Sequence, residues 1–137
     1  MFVDTNVLVF AFDDSAKDKH ERAKQFVSDV FTGKKGATLS NQVLGEFSSA
    51  TQAKAKVPLE PEEVVAFIQT INENTYWKKV NYTTETTQHA NGIAKTHHVP
   101  YWDAVIVATM KENGENVLLT DNVKDFQNVP WIQIKKL

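Results

Sequence analysis

Asp4 interrupts the most apolar stretch of the chain, Phe2-Val-Asp-Thr-Asn-Val-Leu-Val-Phe-Ala-Phe12. Burying such a run carries a carboxylate to the end of a short strand, where it needs a reason to be kept. The pattern returns near the C-terminus, where Val117-Leu-Leu-Thr120 runs into Asp121-Asn122, with Asp125 and Phe126 just beyond. Between the two lie Glu46, beside the apolar stripe of a helix that turns about 100° per residue, and Asp103, at the start of the apolar run Ala104 to Met110. Each acid has a structural alternative. Asp4 can cap the helix after it, Glu46 can be a boundary residue paired with Lys54 or Lys56, and Asp103 can complement a helix dipole. Brought together, these carboxylates would repel one another, and either protonation or a divalent cation resolves the conflict. Oxygen-only ligation selects Mg²⁺ or Mn²⁺.

Composition limits the other chemistries. The 137 residues, 42% hydrophobic and 23% charged, fit one globular domain with its own core, spanning 1–137. Without cysteine there is no disulfide framework, thiolate nucleophile or Cys-ligated zinc, and the four histidines and the carboxylates are the remaining metal ligands. His89, His97 and His98 have no standard zinc spacing. No apolar run approaches the ~20 residues of a membrane span, and the opening lacks the basic flank and cleavage site of a signal peptide, so a cytoplasmic protein is expected. A net charge of -2 does not advertise nucleic acid, although a pocket of acids would mask basic surface elsewhere in that sum.

The elements that must position the acids follow from pattern. Ser15-Ala-Lys-Asp18 resembles a capping box, and Ala16, His20, Ala23, Val27 and Val30 continue at helical spacing to Gly33. Gly36 to Leu39 reads as a strand, and Ser40 or Asn41 caps a helix that turns Val43, Leu44, Phe47 and Ala50 inward. Pro61 with Glu62 and Glu63 opens a further helix, Trp77 to Tyr82 reads as a strand, and Thr84 to Lys95 as a polar helix ended by His97 and His98. The run Ala104 to Met110 suits a buried strand or a buried helix. The exit Lys-Glu-Asn-Gly114 and the strand-like Val117 to Thr120 favour helix. Trp131 to Ile134 offers a last strand. This alternation predicts an α/β fold of three layers, α/β/α, in which a mostly parallel sheet of about five short strands has the Phe2 to Asp4 strand at its centre. Asp4, Glu46, Asp103 and Asp121 can then converge on one edge.

The opening Val-Asp-Thr-Asn6, the mid-helix Glu46, Tyr-Trp-Asp-Ala104 and Leu-Leu-Thr-Asp-Asn122 with Asp125-Phe126 stand in the order found in PIN-domain ribonucleases. Over nearly its full length the chain resembles that family, in particular the VapC-type toxins of prokaryotic toxin–antitoxin pairs. The resemblance implies a PIN-like fold and a Mg²⁺- or Mn²⁺-dependent endoribonuclease whose acids fall on Asp4, Glu46 and Asp103. Thr5, Asn6, Thr120 and Asn122 fall on supporting positions. Many relatives place the fourth acid two residues after the Thr, where this chain has Asn122, so Asp121 or Asp125 is expected to serve. Such a site needs no protein nucleophile, because a carboxylate-held ion can activate water and neutralise the phosphodiester. The family's usual product carries its phosphate on the 5′ side of the break.

Implied partners are an RNA substrate, a small antitoxin covering the acidic groove, and a second copy in a homodimer, with no membrane. Lys34, Lys35, Lys54, Lys56 and Lys79 could position RNA, with Tyr101, Trp102 or Phe12 as stacking surfaces, although core packing and plain solvation are the ordinary roles of such residues. Two alternatives belong to other classes. One is a PIN-like module that binds RNA or protein without cutting, which the residue Asn122 favours. The other is a haloacid-dehalogenase-type phosphatase, whose second Asp would have to stand where this chain has Asn6.

Overall fold

The computed structural model describes residues 1–53 and 55–137. Its frame is one five-stranded sheet, all parallel, in the order β3-β2-β1-β4-β5. Strand β1 (Phe2–Val3) is central as expected, with Phe2 opposite both Thr38 and Leu118. Both its residues are fully buried, as a strand covered on two faces must be. At Asp4 the apolar run changes geometry and becomes helix α1 (Thr5–Phe12), which buries Val7 and Leu8. Asp4 is therefore both the end of a strand and the cap of a helix.

The next helix departs from expectation. Asp14–Ala16 form a single 3₁₀ turn and α2 spans Asp18–Phe31, with Lys17 at φ 53° between them. Ser15 caps nothing. Its own N–H and hydroxyl both donate to Asp13 Oδ1, which satisfies the turn locally and leaves α2 to start independently. Strand β2 (Ala37–Ser40) leads into α3 (Asn41–Ala53), where Ser40 Oγ accepts from Val43 N. Helix α4 (Pro61–Glu73) follows, and Glu63 reaches back to the Glu60 N–H. Strand β3 (Trp77–Val80) is shorter than Trp77 to Tyr82 because the Tyr82 N–H turns to the Asn41 side chain and leaves the ladder.

Helix α5 (Thr84–His97) ends on His98 in the left-handed region at φ 55°. It packs against α6 (Tyr101–Glu112), whose residues Ala104 through Met110 are all buried. That resolves the ambiguous run as a helix enclosed on every side, for which periodicity carries no amphipathic signal. Strand β4 (Val117–Leu119), the short helix α7 (Val123–Phe126) and β5 (Gln133–Lys135) complete the chain. The last strand starts two residues later than Trp131 to Ile134, because pairing begins at Val117 with Gln133 while Ile132 N closes a turn on Val129 O.

Right-handed crossovers put the helices of the β1→β2→β3 connections on one face and those of β3→β4→β5 on the other. The strand order reverses between β1 and β4, and the crevice at the carboxyl ends of those two strands is where an open α/β sheet places its functional groups. Among the described residues no helix is long and apolar enough to cross a membrane.

Candidate active site

Asp4 ends β1 in that crevice and is 6% exposed. Its Oδ1 accepts the Thr5 N–H at 2.7 Å, and its Oδ2 accepts both Asn6 Nδ2 at 2.7 Å and Thr120 Oγ1 at 2.6 Å. These donors come from the first turn of α1 and from the end of β4, so the carboxylate is fixed by the two strands that define the switch point. Burial pushes its carboxyl up, the three donors pull it back, and the nearby Glu46 charge pushes it up again. Asn6 also ties the strand ends together: its Oδ1 accepts from Asp121 N at 3.1 Å and its Nδ2 lies 3.1 Å from Thr120 Oγ1.

Glu46, half-buried on α3, turns toward α1. Its Oε2 accepts Thr5 Oγ1 at 2.7 Å and its Oε1 accepts Gln42 Nε2 at 2.7 Å. Thr5 thus bridges Asp4 and Glu46, through its N–H to one and its hydroxyl to the other. The same Gln42 amide donates to the Trp102 carbonyl at 2.9 Å, pinning the start of α6 against α3. Gln42 is a site residue that periodicity assigns no role. Its one legible signal is the four-residue spacing to Glu46 on a single helix face.

Asp103 carries the strongest perturbation. Burial first, and then the charges of Asp4, Asp125 and Glu46, push its carboxyl up to about 7. The protonated Asp103 carboxyl lies within reach of Asp125 for a hydrogen bond. Asn122 donates through its side chain to Asp125 Oδ2 at 2.7 Å and through its backbone N–H to Thr120 Oγ1 at 2.9 Å. Asp121 turns elsewhere, to Lys19 Nζ at 2.7 Å. The four carboxylates brought together are Asp4, Glu46, Asp103 and Asp125. Among the described residues no three acidic or histidine side chains converge tightly enough to hold an ion as they stand. The donor set is nonetheless all oxygen and mutually repelling, the chemistry that suits a hard divalent cation.

The other predicted contacts divide. Tyr101 and Trp102 are exposed and meet edge to face at 5.2 Å. Phe12 is exposed to a similar degree and packs on Phe67 and Phe47 at 4.8 and 5.5 Å. Lys35 pairs with Asp29 at 2.9 Å, Lys34 approaches the same acid at 3.9 Å, and Lys79 Nζ donates to the Ile71 and Asn74 carbonyls. Lys56 is exposed, and Lys54, including its suggested pairing with Glu46, lies outside the described residues. His89 pairs with Glu112 and His97 packs on Trp131, so these imidazoles serve separate contacts.

Comparison with known proteins adds family and fold. A family model described as PIN domain matches residues 1–132. No curated protein matches the chain by sequence. Solved structures with a similar fold include VapC20 of Mycobacterium tuberculosis, described as a toxin that cleaves the sarcin–ricin loop, at TM-score 0.70 and 18% identity over 96% of this chain and 95% of that one. DNA-bound VapBC from Salmonella typhimurium aligns at TM-score 0.65 and 21% identity, covering 98% and 96% of the two chains. VapBC2 from Rickettsia felis, bound to a DNA fragment from its promoter, aligns at TM-score 0.66 and 13% identity, covering 99% and 97%.

Proposed function

Because the chain belongs to the PIN-domain family, we propose that it is a Mg²⁺- or Mn²⁺-dependent endoribonuclease and the toxin of a toxin–antitoxin pair. The observation that carries the reading is the gathering of Asp4, Glu46, Asp103 and Asp125 beyond the ends of β1 and β4, where burial and the three neighbouring acids push the Asp103 carboxyl up. A chain gains nothing for stability from such a cluster, whereas a cation-binding site requires it.

Asp4, Glu46, Asp103 and Asp125 would hold the ion. When bound, it supplies charge neutralisation for a phosphodiester and acidifies water. The protein's own part is positioning. Thr5, Asn6 and Thr120 hold Asp4 so that its oxygens need no reorganisation, Gln42 and Thr5 hold Glu46, and Asn122 orients Asp125. Without a cation, Asp103 keeps a proton on its carboxyl up to near neutral pH and so lowers the repulsion.

The substrate is RNA, and the partners are an antitoxin, which the toxin–antitoxin complexes of similar fold support, and a second copy of the chain. The phosphatase alternative falls with the family assignment. A non-cutting PIN-like binding module is the second reading, favoured by the donor Asn122 standing where an acid is usual. Cleavage of single-stranded RNA in Mg²⁺ or Mn²⁺ that disappears in EDTA and in Asp4→Asn supports the nuclease. RNA binding with no cleavage in either metal supports the module.

A further inference from the structure

A cleft of about 420 Å³ lies where α2 faces the ends of β4 and β5, with Phe26 and Leu119 among its lining. Four cations surround it: Arg22 from α2, Lys35 from the loop after that helix, and Lys135 and Lys136 from the end of β5. Among the described residues no acidic side chain lines it. The chain as a whole has 17 acids to 15 lysines and arginines, so four of the fifteen around one acid-free cleft run against its composition. Like charges gathered this way repel, and an anion relieves them as a cation relieves clustered carboxylates.

Lys35 is already paired, with Asp29 at 2.9 Å. Arg22, Lys135 and Lys136 are exposed, and among the described residues none of them forms an ion pair with an acidic side chain. Arg22 Nη1 donates to the Leu137 carbonyl at 3.2 Å, which orients the guanidinium without neutralising it. The sheet itself joins this cleft to the acidic crevice. Leu119 precedes Thr120, whose hydroxyl holds Asp4, and the Thr120 N–H donates to the Lys135 carbonyl at 2.9 Å. Arg22 also lies about one helical turn along α2 from Lys19, whose Nζ reaches Asp121 beside the crevice. A polyanion leaving the acids across the ends of β4 and β5 therefore meets these three cations next. The one aromatic side chain in the lining, Phe26, is 6% exposed, so the cleft offers donors to phosphates and no stacking face to bases.

On the reading of the acidic site as a ribonuclease, we infer that this cleft holds the sugar–phosphate backbone of the RNA strand on one side of the scissile bond, with Arg22, Lys135 and Lys136 as its phosphate contacts. Such contacts position the strand and carry no sequence information. They act equally on the bound substrate and on the transition state, so they set affinity and leave the chemical step to the acids.

Salt dependence counts such contacts, because each phosphate neutralised on a single strand contributes about 0.7 to the slope of log affinity against log salt. Binding of labelled oligo(U) and oligo(A) is followed by fluorescence polarisation in EDTA on an Asp4→Asn background, so that neither cleavage nor a bound cation enters the slope. Replacing Lys135→Gln and Lys136→Gln together should flatten the slope by about 1.4, and Arg22→Gln alone by about 0.7. Both oligomers should lose affinity by the same factor. The control pair Lys78→Gln and Lys95→Gln removes as much charge from exposed positions on β3 and α5 and should leave the slope unchanged. Thermal melting should be alike in all of them, since every replaced head group is exposed. With Asp4 restored, cleavage in Mn²⁺ should show KM raised and kcat unchanged in the cleft variants. No RNA binding, a slope unmoved by the cleft variants, an equal change in the control pair, or losses that differ between oligo(U) and oligo(A) overturns the inference. An unmoved slope in a chain that still cuts RNA refutes the cleft and leaves the nuclease, with an acidic protein segment as the occupant such charges would then suit. The expected slopes in a chain that cuts no RNA refute the nuclease and leave the cleft as an RNA-binding surface.

Discussion

Lys19 Nζ stands 2.7 Å from Asp121 Oδ2, joining residues 102 positions apart. The pair turns the Asp121 carboxylate toward α2, while Asp125 faces Asp103 from the turn after β4. Asp121→Asn is expected to leave RNA cleavage within a few-fold of the parent and to change stability by no more than about 1 kcal/mol, the usual range for a solvent-exposed ion pair. Asp125→Asn should lower cleavage by about 10–100-fold. The reverse order of effects would return the fourth acidic position to Asp121.

How far this site can be read from sequence depends on how local each contact is. The central strand is legible because Phe2 and Val3 sit in the most apolar run of the chain, and Glu46 betrays itself by lying beside an apolar stripe. Which of Asp121 and Asp125 faces Asp103 is not legible, since Asp121 is drawn aside by Lys19, a residue on a distant helix. The Ser15 start fails for the opposite reason. Asp13 offers Ser15 a closer partner than any helix would, and a capping pattern cannot reveal that competition. Phe12, for which core packing is the ordinary role, meets Phe47 and Phe67 from two other helices yet stays 39% exposed, a balance set by residues distant in sequence.

Thr120 is fully buried, donates to Asp4 Oδ2, and accepts from Asn122 N and Asn6 Nδ2. Thr120→Val keeps the shape and removes the hydroxyl. The Asn122 N–H then loses its acceptor and the carboxylate one of its donors. Stability measured by urea unfolding should drop by about 1–3 kcal/mol, the range for hydrogen bonds to charged or buried groups. Cleavage should fall with it, because Asp4 is then held by Thr5 and Asn6 alone. An unchanged midpoint would mean that a water replaces the hydroxyl without loss.

A cation that binds the folded chain raises its melting temperature in proportion to the logarithm of its concentration. Mg²⁺ or Mn²⁺ at millimolar levels should therefore raise the melting temperature of the parent, and Asp4→Asn should remove that rise. Asp121→Asn should retain it. A rise that persists in Asp4→Asn would show that the ion binds somewhere other than the β1–β4 crevice.

Asp103 distinguishes an acid that serves a metal from one that complements a helix dipole, because the two roles give opposite signs in metal-free buffer. Its folded-state carboxyl is raised from the ordinary 3.8 to about 7, so between those values the folded chain holds a proton that the unfolded chain has released. The folded state binds more protons across that window, and stability must fall as pH rises through it. Asp103→Asn removes the titration. In EDTA the variant should match the parent near pH 4 and exceed it increasingly toward pH 8, as repulsion from Asp4, Asp125 and Glu46 is relieved. If Asp103 only complemented the α6 dipole, the variant would instead lose about 0.3–1 kcal/mol at pH 8 and keep its activity. Thermal melting in EDTA from pH 4 to 8, set beside RNA cleavage in Mn²⁺, measures both signs at once. A variant that is less stable at pH 8 and still cuts RNA would remove Asp103 from the catalytic set.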